Sequence, residues 1–141
     1  MTDKIRWGIL STGRIAGVFA KALQALPDAE IVAVGSRTAE AAERFGAEHG
    51  IPRRHASYED LARDPEVQVV YVATPHPFHK DNAIMCLEAG KAVLCEKPFA
   101  MNAREARAVV RCARKRKRFL MEAMWTRFIP ATLKVRELVA A

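Results

Sequence analysis

The sequence has few cysteines and no long apolar segment. Cys86, Cys95 and Cys112 are its three cysteines, and no two of them have the C-x-x-C spacing of a zinc or redox site. Because they lie in apolar or helical surroundings, we predict buried free thiols, with neither a disulfide framework nor a metal centre. Even the mostly apolar stretch of residues 67–73, which includes Gln68, is much shorter than the ~20 residues that span a bilayer. No secretory signal precedes the first strand-like segment, so the sequence predicts a cytoplasmic protein that does not bind membranes.

Acidic residues are also fewer than basic ones. The chain has 23 Lys and Arg against 16 Asp and Glu, a formal net charge of +7. Most of the excess lies in one run, residues 111–118 (RCARKRKR), which has six basic residues and no acidic one. The run has no aromatic side chain on which a base would stack, so we predict a solvated helix face and no nucleic-acid partner. Nucleic-acid binding through this run is the alternative, and it would weaken steeply with added salt.

Strand-like and helix-like segments alternate along all 141 residues. Apolar runs predict strands, and apolar residues at positions i, i+3 and i+4 predict the helices between them. The predicted strands cover residues 5–10, 31–34, 54–56, 67–73, 92–95 and 119–123, and the predicted helices cover 14–26, 38–49, 57–63, 78–89, 102–117 and 130–141, with Thr38 and Asn102 as helix caps. This pattern is typical of an α/β fold, a doubly wound parallel sheet (Rossmann fold) of six strands with helices on both faces. The length suits one domain, residues 1–141, and ligands bind such sheets at the carboxyl ends of the strands.

The turn after the first predicted strand is similar to the dinucleotide-binding fingerprint G-x-G-x-x-G/A. The residues in register with this fingerprint are Ser11, Thr12, Gly13, Arg14, Ile15 and Ala16. Gly13 would let the backbone approach a pyrophosphate, and Ala16 would keep the helix close to the strand. Ser11 replaces the first glycine, and its hydroxyl is able to add a hydrogen bond to phosphate. An ordinary strand-to-helix turn is the alternative.

The end of the second predicted strand bears on the choice of cofactor. It carries Ser36 and Arg37 and no acidic residue. NAD-binding versions of this fold use Asp or Glu here for the ribose 2′-hydroxyl, whereas NADP-binding versions place an arginine near the 2′-phosphate. A guanidinium pairs well with a phosphate, so the pattern favours NADP and leaves NAD possible. A surface arginine at a strand end is the alternative.

Two polar loops follow the fourth and fifth predicted strands. The first, ATPHPFHK, is stiffened by two prolines and carries Thr74, His76 and His79. The second, CEKPFAMN, places Glu96 and Lys97 at the end of the fifth strand. A lysine in a crevice is suited to acid–base work, so Lys97 is a candidate proton relay or hydroxyl anchor. The alternatives are capping or packed histidines and a surface ion pair for Lys97.

Four segments, GILSTGRIA, ATPHPFH, CEKPFA and MEAMWTRF, occur in an order and spacing that resembles a known family. They are similar to the N-terminal nucleotide-binding domain of the Gfo/Idh/MocA oxidoreductases, and most of all to the NADP-dependent dihydrodiol/D-xylose dehydrogenase branch. The resemblance covers nearly the whole chain, and the E-K-P and M-W-T-R motifs together are far more specific than the glycine turn. It implies hydride transfer between a nicotinamide cofactor and a carbon of a sugar or cyclic diol.

The resemblance also implies roles for individual residues. Lys97 would be the catalytic residue that orients the substrate hydroxyl and takes part in proton relay. The implied cofactor-binding residues are Ser11, Thr12, Gly13, Arg14, Ile15, Ser36, Arg37 at the 2′-phosphate, Thr74, His76, His79, Glu96, Lys97, and Trp125 and Arg127 at the mouth of the nicotinamide site. The Lys97–Pro98 peptide is expected to be cis. Ala41 stands where relatives in this branch often have a second arginine, which weakens the expected preference for NADP.

Family members continue into a second α/β domain that these 141 residues do not contain. That domain supplies most substrate contacts, the remaining acid or base and usually the dimer surface. The resemblance thus implies a small-molecule sugar or diol substrate, and a homo-oligomer for the full-length protein. We expect the isolated chain to bind NADP and to have negligible dehydrogenase activity. A non-catalytic nucleotide-binding or regulatory module is the alternative.

Overall fold

Six parallel strands form one sheet in the computed structural model, which describes residues 4–140. The strands are β1 (Ile5–Leu10), β2 (Ala29–Gly35), β3 (Arg53–His55), β4 (Val69–Val72), β5 (Ala92–Cys95) and β6 (Leu120–Glu122). Their order across the sheet is β3-β2-β1-β4-β5-β6, and each neighbouring pair is parallel. The winding reverses between β1 and β4, which confirms the predicted doubly wound fold.

The helices follow the predicted order. They are α1 (Arg14–Gln24), α2 (Ala39–Glu48), α3 (Tyr58–Arg63), α4 (His79–Glu88), α5 (Ala103–Arg116) and α6 (Pro130–Ala140), with short 3₁₀ helices at His76–Phe78 and Trp125–Phe128. Most boundaries lie within two residues of the predicted ones. α1 ends two residues early because Pro27 disfavours helical backbone in the residue before it. β2 begins two residues early because Ala29 pairs with Ile5 of β1, a contact that local periodicity does not reveal.

Side-chain caps begin three of the helices. Thr38 accepts a hydrogen bond from the Ala41 N–H, Ser57 from the Asp60 N–H, and Asn102 from the Glu105 N–H. Each cap satisfies one of the N–H groups that the first turn of a helix leaves without an internal partner. The predicted caps at Thr38 and Asn102 are therefore confirmed, and the uncapped start of α1 stands apart from them.

Each face of the sheet has its own hydrophobic core. α1 and α2 cover one face, where Ile9 and Tyr71 are buried. α3, α4 and α5 cover the other, where Leu10, Val70 and Val72 are buried. Neighbouring residues of β1 and β4 thus point to opposite faces, as the period of two in a strand requires. α6 buries no side chain.

A buried carboxylate ties β3 to the segment before β4. Asp64 accepts hydrogen bonds from the Arg53 guanidinium at 2.6 Å, from the His55 ring at 2.8 Å and from the Glu66 N–H at 2.9 Å. Burial raises the pKa of Asp64, but these three donors outweigh it and bring the pKa down to about 2, below the ordinary 3.8. The ionised form of Asp64 therefore stabilises the fold.

The predicted thiols and basic run can be located in the structure. Cys86 and Cys95 are buried and Cys112 is half-buried, and all three are free. Burial raises the pKa of the Cys86 and Cys95 thiols to about 12. The basic side chains of residues 111–118 are all exposed, as a solvated helix face requires. Within residues 4–140, every helix is too short or too polar to cross a bilayer.

Candidate functional site

The loops with the candidate residues begin at one edge of the sheet, where the strands have their carboxyl ends. Main-chain hydrogen bonds fix these loops as soon as they leave the strands. Ser11 N–H donates to Gly35 O, Ala73 N–H to Leu10 O, Glu96 N–H to Val72 O and Ala123 N–H to Cys95 O. The edge beside β1, β4 and β5 includes the point at which the winding reverses, where doubly wound sheets bind ligands.

The glycine turn leaves the N-terminus of α1 open. Gly13 is the N-cap residue, and no side chain caps the helix. A Cβ built at Gly13 would meet only the Ser11 hydroxyl oxygen, at 3.9 Å, so the main chain is accessible to a ligand. Free N–H groups and the positive end of the helix dipole favour an anion at this position. The turn therefore fits a pyrophosphate group.

Ser11 adopts the backbone conformation that the fingerprint assigns to glycine. Its φ is 99°, in the region that side chains rarely enter. The hydrogen bond from its N–H to Gly35 O, at 2.9 Å, holds it there. The serine therefore preserves the shape of the turn and adds local strain to it.

The end of β2 lies beside this turn. The Ser36 and Thr12 hydroxyl oxygens are 3.5 Å apart, which links the end of β2 to the turn. Ser36 is buried and Arg37, the next residue, is exposed. Within residues 4–140, no carboxylate lies within 4 Å of the Arg37 guanidinium. Arg37 is therefore available to a phosphate at the end of β2.

The two histidines of the β4 loop have different environments. His76 is exposed, whereas His79 is fully buried, and their rings are 5.5 Å apart. The His79 Nδ1 lies 2.8 Å from the Pro98 carbonyl oxygen, and its Nε2 lies 2.7 Å from the Thr74 carbonyl oxygen. A direct contact between His79 and a cofactor stays a prediction, since both ring nitrogens already have main-chain partners. The packed-histidine alternative describes the environment of His79 better than that of His76.

Lys97 lies between two anchored residues. Its side chain is exposed, and the following peptide bond to Pro98 is cis, as expected. The Glu96 carboxylate accepts the Lys97 N–H at 3.0 Å and the Tyr71 hydroxyl at 2.6 Å. Burial and the Glu96 carboxylate raise the pKa of Tyr71, so this hydroxyl stays protonated and donates. Within the described part of the chain, Lys97 has no carboxylate within 4 Å, so the surface ion-pair alternative is not seen.

Tyr71 is a site residue that the sequence reasoning missed. Its only signal was an aromatic hydroxyl in an otherwise apolar, β-branched strand, because a buried tyrosine needs a hydrogen-bond partner. The partner, Glu96, is 25 residues away along the chain. Pairing of β4 with β5 places Tyr71 opposite Leu94, two residues before Glu96.

Two neighbouring cavities share Ile15, Glu96, Lys97 and Trp125. The smaller, of about 250 Å³, also contacts Thr74 and His76. The larger, of about 650 Å³, is mostly apolar and extends along α1 and the exposed face of β5 and β6. The smaller cavity therefore brings together six of the predicted site residues, from the glycine turn, the two polar loops and the segment after β6.

Arg127 lies apart from this group. It lines a third cavity with Met121, Phe128 and Leu133. The next-but-one residue before it, Trp125, lines both cavities beside Lys97. The short 3₁₀ helix turns the Trp125 and Arg127 side chains in different directions. Their closeness in the sequence motif does not reveal that they line different cavities.

Comparison with known proteins identifies the family. Residues 5–124 match the profile described as "Oxidoreductase family, NAD-binding Rossmann fold" (GFO_IDH_MocA). The chain belongs to this oxidoreductase family, which confirms the resemblance in its sequence motifs. Two features fit a nucleotide-binding domain: the uncapped glycine turn, and the cleft formed by the two neighbouring cavities that Lys97 lines.

Several relatives are much longer than this chain. The trans-1,2-dihydrobenzene-1,2-diol dehydrogenase of Homo sapiens is 51% identical over 138 residues, covering 96% of this chain and 41% of the relative. The enzyme of the same name from Xenopus laevis is 49% identical over 137 residues, covering 96% and 42%. This chain thus spans about two fifths of their length.

Solved structures show the same fold. A 3-ketoreductase from Actinomadura kijaniata in complex with NADP has a TM-score of 0.92 at 31% identity, covering 98% of this chain and 44% of that protein. An NAD binding oxidoreductase from Klebsiella pneumoniae has a TM-score of 0.90 at 28% identity, covering 97% and 39%. The first of these proteins was solved with NADP, and the second is described as NAD binding.

Proposed function

We propose that this chain is the cofactor-binding domain of an NADP-dependent oxidoreductase that transfers hydride between nicotinamide and a carbon of a sugar or cyclic diol. One observation carries the proposal. A single cavity brings Ile15 of the glycine turn together with Lys97, His76 and Trp125. The residues that we propose for phosphate binding and for proton transfer are thus adjacent, at the edge where this fold binds its ligands.

The adenine end of the cofactor would lie at the end of β2. We propose that Arg37 pairs with the 2′-phosphate of NADP, because its guanidinium is exposed and no acidic residue takes the place of a ribose partner. The pyrophosphate would bind the free N–H groups at the start of α1. The NADP complex of the Actinomadura kijaniata relative supports this choice.

The reacting end would lie beside Lys97. When bound, the cofactor supplies the hydride acceptor or donor. The Lys97 side chain would orient the substrate hydroxyl by a hydrogen bond and take part in moving its proton. Trp125, which is exposed at the mouth of the cleft, would shield the reacting atoms from water, and His76 would contribute a polar contact.

The activity of the whole protein is part of the same proposal. The names of the dihydrodiol dehydrogenase relatives support a small diol or sugar substrate. We propose that residues 1–141 form a single domain that binds NADP with negligible turnover, since relatives extend far beyond the matched region. A full-length protein would be cytoplasmic and homo-oligomeric. Robust oxidation of D-xylose or a dihydrodiol by the 141-residue chain would contradict the proposal that this chain binds the cofactor with negligible turnover.

Binding of NADPH and NADH, measured by calorimetry, tests the cofactor assignment. We expect tighter binding of NADPH, and we expect Arg37→Asp to weaken NADPH binding by about tenfold or more, because hydrogen bonds to charged groups contribute roughly 1.5–3 kcal/mol. NADH affinity should change little. Arg114→Asp is the matched control, since it makes the same charge change in the exposed basic run.

Two results would overturn the assignment. The first is equal affinity of the unaltered chain for both cofactors. The second is an equal loss of NADPH affinity in Arg37→Asp and Arg114→Asp. This result would mean that Arg37 contributes only to the net positive charge and does not contact the 2′-phosphate.

A further inference from the structure

The Glu96 carboxylate is buried, yet it does not pair with the lysine beside it. Only 8% of the residue is exposed. Within residues 4–140, no Lys, Arg or His nitrogen lies within 4 Å of it. Its two oxygens instead accept the Tyr71 hydroxyl and the main-chain N–H of Lys97. The oxygens of a buried carboxylate need such hydrogen-bond donors.

The Tyr71 hydroxyl is itself rigidly placed. Its ring is 1% exposed and stacks on Phe19 of α1, with centroids 3.8 Å apart and planes 22° apart. The Trp7 and Phe19 rings form a T-shaped pair, with centroids 5.6 Å apart. The distance of 2.6 Å from the Tyr71 hydroxyl to Glu96 is typical of a charge-assisted O–H···O⁻ bond. One helix therefore begins at the glycine turn and also supports the tyrosine that holds Glu96.

Both neighbours of Lys97 are anchored, while the Lys97 side chain is not. Glu96 holds the Lys97 N–H, and the carbonyl of Pro98 contacts the buried ring of His79. Lys97 itself lines both cavities. A misplacement of about 1 Å at a reacting group can cost about 100-fold in rate, and a fixed main chain fixes the point from which the lysine side chain reaches.

We infer that Tyr71 and Glu96 are positioning residues, which hold the Lys97 main chain and thereby direct its side chain to the nicotinamide end of the cleft. This inference rests on the proposed function. The competing explanation is a buried polar pair that contributes to stability alone. That explanation predicts no difference between ligands that reach Lys97 and ligands that stop at the adenine end.

Tyr71→Phe removes one hydroxyl and keeps the aromatic stack, and Tyr58→Phe is the matched control. Tyr58 is half-buried at the start of α3, and its hydroxyl has no hydrogen-bond partner in the described residues. Hydrogen exchange followed by NMR should show the Lys97 N–H exchanging about tenfold faster in Tyr71→Phe and unchanged in Tyr58→Phe. An unchanged Lys97 rate in a folded Tyr71→Phe would overturn the inference.

Binding of two ligands distinguishes a role of Tyr71 in positioning Lys97 from a role in stability alone. In the proposed site, NADPH would occupy both the end of β2 and the cavities beside Lys97, whereas adenosine 2′,5′-bisphosphate would occupy only the end of β2. Tyr71→Phe should weaken NADPH binding about tenfold and the bisphosphate by less than about twofold. If Tyr71→Phe weakens the binding of both ligands equally, or leaves NADPH binding unchanged, then Tyr71 and Glu96 have a purely structural role and the inference is wrong.

Further measurements separate the possible failures. If the unaltered chain binds no nicotinamide cofactor, the proposed function fails and the positioning role fails with it, while the exchange rate still reports whether the pair holds the Lys97 main chain. If Tyr71→Phe does not fold, the hydrogen bond between Tyr71 and Glu96 is tested in the unaltered protein. A slowly exchanging Tyr71 hydroxyl proton, displaced downfield, is expected for a buried O–H···O⁻ bond, and its absence would refute the contact.

Discussion

Replacing Ser11 by glycine is expected to stabilise the protein by about 1 kcal/mol. Ser11 is held at φ 99° by the hydrogen bond between its N–H and Gly35 O. A non-glycine residue in such a region costs about 1–3 kcal/mol. The relief of this strain is offset by roughly 0.5–1 kcal/mol, because glycine makes the unfolded chain more flexible and so raises the entropy cost of folding. The net gain should appear as an increase in the free energy of unfolding in urea and in a Tm higher by about 3 °C.

Two variants show whether backbone strain is the cause. Ser11→Ala keeps the Cβ and removes only the hydroxyl, so it should bring no gain. Lys117→Gly relieves the other positive φ of a non-glycine residue in the described chain, 52° at the end of α5. It should stabilise by about 1 kcal/mol, far from the glycine turn. The reasoning fails if Ser11→Gly is no more stable than the unaltered protein, or if Ser11→Ala is stabilised equally.

Two other predictions concern titratable groups away from the cleft. The pKa of Asp64 is lower in the folded chain, about 2, than its ordinary value of 3.8, so its contribution is present above about pH 4 and is lost as pH falls toward 2. Asp64→Asn should therefore cost about 2 kcal/mol at pH 7 and flatten the acid limb of stability followed by urea unfolding, and an unchanged acid limb would contradict this. Burial and raised pKa values should make Cys86 and Cys95 inert to a thiol reagent in the folded chain, with Cys112 reacting first. Denaturant should expose all three thiols, and early labelling of Cys86 or Cys95, read by mass spectrometry, would count against the packing around α4 and β5.

Local patterns predicted much of the fold because their causes are local. Helix caps at Thr38 and Asn102 depend on an N–H three residues further along. The alternation of strands and helices follows from periodicities within about ten residues. The glycine turn was recognised despite Ser11, since its place between a strand and a helix is itself a sequence feature.

The candidate site was predicted unevenly, for a physical reason. Sequence motifs brought out His76, Lys97 and Trp125, which share one cavity. They did not distinguish exposed His76 from buried His79, because the partners of His79 include a carbonyl 19 residues away. They also gave no sign that Arg127 lies in a different cavity from Trp125.

Local sequence patterns are sufficient to predict the order of elements, the glycine turn and the chemical groups available at the strand ends. Which of those groups meet depends on how the strands and helices pack. The hydrogen bonds of Glu96 with Tyr71 and of Asp64 with Arg53 join residues 25 and 11 positions apart. Such contacts depend on the order of the strands in the sheet, which places distant segments side by side and which the periodicity within a single element does not determine.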